Sequence, residues 1–226
     1  MNPSAAENSA RVWDLPVRLG HWLIVLLFGF SWWSGENHEM DWHRWSGYGV
    51  VALLLFRIYW GFFGERTARF ASFVRGPGAV LAYGRSLARR PYVAEQGHNP
   101  MGGWSVMIML AALMAQVTAG LFSVDVDGLE SGPLADYVSF ETGRWAANIH
   151  SLVFNVALAV VVVHIAAIAV YRFWLRTDLI TPMITGKRSA PGLTTVAVGT
   201  GISWRAAAGV VGAAACVYAI AIGFRF

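Results

Sequence analysis

Apolar residues run along this chain in five long stretches, and shorter segments between them hold most of the charged side chains. A helix needs about 20 residues to cross a hydrocarbon core roughly 30 Å thick. Each stretch reaches that length, so the pattern predicts five membrane-spanning helices. Their approximate limits are 15–35, 43–64, 103–124, 145–174 and 205–224.

The segments outside the spans carry weaker signals. Asp14 followed by Pro16 predicts the N-cap and first turn of the first helix. Apolar positions within 77–90 share one side of a helix, which predicts an amphipathic helix on the membrane surface. The stretch 189–202 is rich in Gly, Thr and Ala and predicts a flexible linker.

These elements divide the chain into three parts. Residues 1–14 form an N-terminal tail, 15–188 a transmembrane domain, and 189–226 a linker with an extra helix. That fifth helix consists almost wholly of Ala, Val, Gly and Ile. We therefore expect it to be the most peripheral helix, facing lipid.

Composition excludes several classes of protein. The chain has 226 residues, of which 56% are apolar and 13% charged, against about 25% charged in a soluble domain. Its basic residues lie mostly beside apolar runs, which argues against a nucleic-acid-binding face. The single cysteine, Cys216, lies in an apolar stretch, so no disulfide framework, zinc cluster or CxxCH haem attachment site is expected. Of these classes, the composition is compatible with a multi-pass membrane protein solvated by lipid.

The charged residues predict the orientation in a bacterial inner membrane. Basic residues concentrate in segments that would share one side with the N-terminus, whereas the opposite side is acidic. By the positive-inside rule the N-terminus is cytoplasmic and the C-terminus periplasmic. The predicted periplasmic acids are Glu36, Glu39, Asp41, Asp125, Asp127, Glu130, Asp136 and Glu141.

Four histidines fall at two depths in the predicted spans. His150 and His164 are 14 residues apart in the fourth helix, which places them about 21 Å apart on nearly the same face. His43 matches the periplasmic level of His150, and His21 matches the cytoplasmic level of His164. This pattern predicts the pairs His43 with His150 and His21 with His164.

Two imidazole pairs stacked across a bilayer meet the requirement of two b-type haems for axial ligands from facing helices. Small residues near the ligands would let a flat macrocycle approach the backbone, namely Gly20, Ser46, Gly47 and Gly49. The alternative is that the histidines are hydrogen-bonded structural groups or proton relays. Copper or zinc would lack carboxylate or thiolate partners.

The sequence does not decide the roles of several other polar and aromatic residues. Gln116 in the third helix and Asn148 and Asn155 in the fourth need partners in a dry environment, which could be each other, a haem edge or a quinone. Tryptophans near the span ends, Trp60 among them, predict an interfacial belt. His98 is followed by Asn99 and Pro100, a sequence typical of a turn.

Several segments together resemble the prokaryotic cytochrome b561 family, which includes the cytochrome b subunits of nickel-iron hydrogenases. They are VWDLPVRLGHW at 12–22, HRWSGYGVVALLLFRIYWG at 43–61, GHNPMGGW at 97–104, IHSLVFNVALAVVVVHI at 149–165 and MITGKR at 183–188. The resemblance implies an all-α integral membrane protein with a four-helix bundle that holds two non-covalent haems b. It carries the iron-ligand role over to His21, His43, His150 and His164. The fifth C-terminal transmembrane helix departs from the shortest family members.

Three arginines are candidates for the haem propionates. Arg57 lies 14 residues after His43 and so reaches the cytoplasmic level, where it would either pair with a propionate or extend to the membrane surface. Arg44 and Arg144 flank the periplasmic histidines and would contact the other haem or remain solvated loop charges.

If both irons have two histidine ligands, neither has an open coordination position, which favours electron transfer. We expect transfer between the quinone pool and a periplasmic c-type cytochrome or hydrogenase. The acidic loops would steer a basic partner. One alternative is a superoxide-quinone oxidoreductase, an activity of one branch of the resembling family. The other is a haem-free transporter or assembly factor with a histidine proton relay.

Overall fold

The computed structural model describes residues 9–87, 97–189 and 203–225. Two short strands, β1 (Ser9–Arg11) and β2 (Lys187–Ser189), pair antiparallel. All other regular elements in the described ranges are helical. The helices are α1 (Leu15–Glu36), α2 (Met40–Phe63), α3 (Phe70–Phe73), α4 (Pro77–Ser86), α5 (Pro100–Phe122), α6 (Phe140–Ala169), α7 (Ile180–Thr185) and α8 (Trp204–Ala221).

Five of these helices are long and apolar enough to cross a membrane: α1, α2, α5, α6 and α8. The predicted all-α architecture with five spans is therefore confirmed. At its far end α6 continues into a π-helical turn over Val170–Trp174. The segment predicted as an amphipathic helix is helical as α4, over Pro77–Ser86, and residues 88–90 of that prediction lie outside the described residues.

Polar caps fix where the spanning helices begin. Asp14 Oδ1 accepts a hydrogen bond from the Val17 amide at 2.8 Å, which confirms the predicted N-cap of α1. Asn99 caps α5 and Ser139 caps α6 in the same way. Each cap satisfies an amide that a helix N-terminus otherwise leaves without a partner.

The spanning helices form a bundle in which α1 packs along α2, α2 contacts α5, and α5 packs along α6. The rings of Phe28 and Phe154 stack at 6.0 Å and connect α1 to α6. Large apolar side chains such as Leu26 and Val163 are about two-thirds exposed, at 67% and 68%. Those exposed faces suit lipid, so the bundle encloses a narrow interior and shows an apolar exterior.

The end of the segment predicted as an N-terminal tail is folded. β1 pairs with β2, and Val12 and Trp13 are buried in a cluster with Trp60. Trp60 is only 2% exposed, and its Nε1 donates to Asp14 Oδ2 at 2.8 Å. The belt prediction was wrong for Trp60, because the hydrogen bond to Asp14 keeps this indole inside the protein. Trp45 and Trp174, in contrast, are exposed.

The fifth spanning helix, α8, packs on α2. A Cβ atom on Gly209 would lie 2.6 Å from the Tyr59 ring, so the glycine permits a close approach of the two helices. Tyr59 Oη donates to the Arg205 carbonyl near the start of α8. At the other end, Tyr137 Oη donates to the Gly223 carbonyl, and Arg225 forms an ion pair with Asp136.

These contacts show that α8 runs antiparallel to α2 and ends on the side of the α5–α6 connection. One face of α8 is covered by α2, and the opposite face is exposed, as at Val211 and Tyr218. The linker predicted before α8 lies outside the described residues except for Ser189.

Candidate cofactor site

One pair of the predicted histidines meets inside the bundle. His43 projects from the first turns of α2, and His150 projects from α6. Their ring centroids are 6.0 Å apart with an interplanar angle of 82°. Two imidazoles from different helices therefore face the same space at one end of the bundle.

In both rings, the Nδ1 atom contacts a backbone carbonyl oxygen. His43 Nδ1 lies 2.8 Å from the Ser31 carbonyl oxygen, and His150 Nδ1 lies 2.9 Å from the Gln116 carbonyl oxygen. A carbonyl can only accept, so each Nδ1 carries the proton and donates it. In each neutral ring, Nε2 then has the free lone pair that a metal requires.

The Gln116 side chain also reaches His150. Its Nε2 lies 3.1 Å from His150 Nε2, where the amide can donate to the ring lone pair. Its Oε1 is buried and has no hydrogen-bond partner in the described chain. The Gln116 amide therefore lies at the position that a metal bound to His150 Nε2 would occupy.

A cavity of about 480 Å³ lies between the four helices at this level. That volume is within the usual range for sites that hold small molecules and cofactors. Phe28, Trp32, Tyr48 and Phe154 supply aromatic walls, and both histidines line the interior. The charged lining residues are Glu36, Arg44, Asp125, Glu130 and Arg144.

Glycines bring the backbone close to both rings. A Cβ on Gly120 would lie 2.9 Å from His150 Cε1, and a Cβ on Gly35 would lie 3.2 Å from His43 Nδ1. Gly47 lines the cavity and has open space where its Cβ would be. Sequence reasoning singled out Gly47 but missed Gly35 and Gly120, because neither is adjacent to a histidine in the sequence.

The other small residues that the sequence suggested serve different contacts. Ser46 Oγ is 2.7 Å from Ser31 Oγ and so joins α2 to α1 beside the His43 anchor. A Cβ on Gly49 would lie 2.8 Å from Leu27 Cδ1, so this glycine allows α1 and α2 to pack closely. Gly20 has open space around its Cβ position.

The two arginines at the cavity mouth both contact groups of the chain itself. Arg44 lies 2.6 Å from Asp41 Oδ1 and 2.5 Å from Glu130 Oε2, so it joins α2 to the α5–α6 connection. Arg144 donates to the Val124 carbonyl at 2.7 Å. Both line the cavity while neutralising or satisfying groups of the protein itself.

The second predicted pair lies at the opposite end of the bundle. His21 of α1 and His164 of α6 are within electrostatic range of each other. His21 Nδ1 is buried without a hydrogen-bond partner among the described residues. Arg57 Nη1 is likewise buried and unpartnered there, and its guanidinium carbon is 4.9 Å from the centre of the Phe70 ring.

His98 completes the polar groups at this end. Its ring lies between Trp13 and Phe73, with centroid distances of 4.5 and 4.7 Å. Burial lowers the pKa of His98 to about 3, and the charges of Arg57 and His164 add to the effect.

The next residue, Asn99, caps α5 and donates to Tyr171 Oη at 2.9 Å. Where the sequence predicted a turn, the chain bends at Gly97 and begins α5 after Asn99, which places the His98 imidazole beside the second pair.

The residue set fits a cofactor that takes imidazole ligands better than a bare metal ion. No group of three or more His, Cys, Asp or Glu side chains converges within the described ranges. A protein zinc site normally uses at least three such ligands. His43 and His150 instead offer two imidazole Nε2 lone pairs across a mostly apolar cavity, and among the described residues only that of His150 is contacted by a side chain, Gln116.

Comparison with known families gives one match. The family model described as prokaryotic cytochrome b561 matches residues 12–186, which include all four histidines. No curated protein and no solved structure matches the chain.

Proposed function

The chain belongs to the prokaryotic cytochrome b561 family, whose members bind haem b and transfer electrons across membranes, and we propose that it does so through two bis-histidine sites. His43 and His150 would hold one haem, and His21 and His164 the other. The electrons would pass between the quinone pool and a redox protein on the periplasmic side.

The observation that carries this proposal is the spacing of His43 and His150. Two metal–imidazole bonds of about 2 Å each, with two ring radii added, require centroids roughly 6 Å apart. The observed separation is 6.0 Å. The Nδ1 contacts to the Ser31 and Gln116 carbonyls already fix the rings with the lone pair on Nε2, and the Gln116 amide, which now contacts His150 Nε2, would yield that position to the iron.

Held by two histidines, a haem would supply one-electron transfer chemistry. The chain holds the two imidazoles against Gly35 and Gly120 and lines the cavity with aromatic side chains. The 14 residues between His150 and His164 separate the two sites by about 21 Å along α6, so the pair of sites would span most of the bilayer.

Arg57 supports the cytoplasmic site. The Asp14 carboxylate interacts with the Arg57 guanidinium electrostatically, but Nη1 is buried without a hydrogen-bond partner among the described residues. A haem propionate would supply that acceptor. Arg44 and Arg144 are weaker candidates for the same role, because they already contact Asp41, Glu130 and the Val124 carbonyl. They would reach a propionate only by sharing or exchanging those partners.

The superoxide-quinone alternative has less support from the cavity mouth. Attraction of an anion requires a positive potential there, and the nearest cations are Arg44 and Arg144. Arg44 is paired with two carboxylates, and Glu36 and Asp125 also line the opening. A haem-free transporter is disfavoured by membership of the family.

Spectroscopy of histidine variants tests the proposal. The purified protein should show a b-type alpha band on reduction with dithionite and contain two haems per chain. His150→Ala or His43→Ala should remove the same haem, while His164→Ala or His21→Ala should remove the other. Loss of a common haem in His43→Ala and His164→Ala would contradict the pairing, and a protein that binds no haem would refute the function.

A further inference from the structure

The outer face of α6 carries polar residues where lipid contact is expected. Six exposed residues repeat at alternating intervals of four and three along this helix. Such spacing places them in one continuous line, the a and d positions of a heptad repeat. We call this line the asparagine seam, and its members are Asn148, Leu152, Asn155, Ala159, Val162 and Ala166.

The two amides of the seam lack full hydrogen bonding. Asn155 Nδ2 donates to the Ser151 carbonyl at 3.0 Å, and its Oδ1 accepts no bond within the described ranges. Asn148 has no side-chain partner among the residues that the structure describes. Asn155 also lies at the middle of α6, the depth at which an exposed amide finds the least water.

Comparable exposed positions on α1 are apolar. Leu19, Leu23, Leu26 and Phe30 show 48, 45, 67 and 38% exposure. The exposed face of α1 therefore carries only apolar side chains at these positions, unlike the seam of α6. The difference indicates that the seam of α6 meets a polar partner within the membrane.

We propose that the seam is the interface of a symmetric dimer of this chain. Asparagine is self-complementary, since each amide offers a donor and an acceptor to an identical amide. All copies have one orientation in the membrane, so a twofold axis along the membrane normal sets two α6 helices parallel. Asn148 and Asn155 then each face their own counterpart.

The other seam residues suit this packing. Ala159 and Ala166 are small and let two helices approach closely, as interfaces within membranes require. Leu152, between the two asparagines, and Val162, beyond Asn155, are 59% and 58% exposed and would act as apolar knobs of the packing. The seam contains no charged residue, so no like charges oppose each other across the axis.

Cysteine crosslinking in native membranes tests the dimer. Cys216 is exposed and is first replaced by Ala to remove background. Asn155→Cys is compared with Leu26→Cys, which lies at the middle of α1 and is 67% exposed. On oxidation, Asn155→Cys should give a band at twice the mass of the chain, and Leu26→Cys should not.

Equal crosslinking of the two variants would refute the interface. A band for Asn155→Cys at any mass other than twice the chain would also refute the second copy and assign the seam to a different protein. Since crosslinking reports proximity alone, a second measurement concerns the asparagines themselves.

The double variant Asn148→Leu, Asn155→Leu keeps the helix apolar and removes the amides. Its dimer dissociation constant in lipid should rise by roughly tenfold for each amide bridge lost, while the haem absorbance stays that of the unaltered protein. Leu26→Asn provides the control, and should leave the dissociation constant unchanged. An unchanged constant in the double variant, or a monomeric wild-type protein, would overturn the proposal.

Discussion

At the scale of single residues, the cavity depends on groups that orient the histidines. His43 and His150 each present a fixed tautomer because a carbonyl oxygen accepts their Nδ1 proton. Gly120 leaves space for one of these rings against the backbone of α5. Substitutions beside the rings should therefore affect cofactor binding although the histidines stay in place.

Gly120→Val should abolish one haem site and leave the other. Its Cβ would be 2.9 Å from His150 Cε1, so the ring must leave the position that Gln116 fixes. We expect about half of the haem per chain, measured by pyridine haemochrome. Gly29→Val is the control, since no atom lies within 4 Å of that Cβ. Full haem content in Gly120→Val would contradict the role of this glycine.

Asp14 combines two stabilising contacts at the start of α1. Its side chain caps the helix and accepts from Trp60 Nε1, each at 2.8 Å. Burial raises the pKa of the Asp14 carboxyl above its usual value, and the two hydrogen bonds oppose that shift. Both the cap and the buried indole depend on this one carboxylate.

Asp14→Ala should lower the free energy of unfolding by about 2–4 kcal/mol, since it removes a cap and leaves a buried indole N–H without a partner. Thermal unfolding in detergent, followed by circular dichroism, measures the effect. Ser203→Ala removes only the cap of α8 and should cost about 1 kcal/mol. Equal losses in the two variants would show that the Trp60 contact adds nothing.

At the scale of elements, α8 is a fifth helix attached to a four-helix bundle. It packs on α2 through Ala206, Gly209 and Ala213, which are buried. Hydrogen bonds tie it at both ends, to Tyr59 and to Tyr137. The attachment relies on small residues because helices in lipid associate through close van der Waals contact.

Gly209→Val should detach α8 from α2. Its Cβ would be 2.6 Å from the Tyr59 ring, whereas a Cβ on Gly212, one turn later, meets no atom within 4 Å. Gly212→Val is thus a matched control. We expect a drop in melting temperature for Gly209→Val alone, with the haem spectrum unchanged because the histidines lie on other helices. A loss of haem would show that α8 supports the cofactor sites.

At the scale of the whole molecule, charge is distributed by side. Of the acids on the side of the α5–α6 connection, Glu130 and Asp136 are held in ion pairs with Arg44 and Arg225. Asp127 and Glu141 are exposed, and no ion pair of theirs is found in the described residues. These unpaired charges form the surface that would steer a basic redox partner.

The variant Asp127→Asn, Glu141→Gln should slow electron transfer to a basic c-type cytochrome at low salt, and the difference should vanish as salt screens the charges. Stopped-flow rates measured against ionic strength give the result. Asp178→Asn changes an acid next to α7, at the opposite end of the bundle, and should have no effect. A wild-type rate that does not depend on salt would count against steering.

Features that depend on local pattern could be predicted before any tertiary contact was known. The five spans follow from the length and hydropathy of each stretch, and the cap at Asp14 follows from Asp14 and Pro16, two positions apart. The depths of the four histidines follow from helical rise alone, which is why His43 and His150 could be matched in level before any contact was known.

Contacts between residues distant in the chain were decided by the tertiary structure. The sequence could not distinguish Trp60 from an interfacial tryptophan, since its burial depends on Asp14, 46 positions earlier. Nor could it identify Gly120, which meets His150 only once α5 packs on α6. Hydropathy acts on each residue separately, whereas packing depends on which helix faces come together, and that choice places the rings around the cavity.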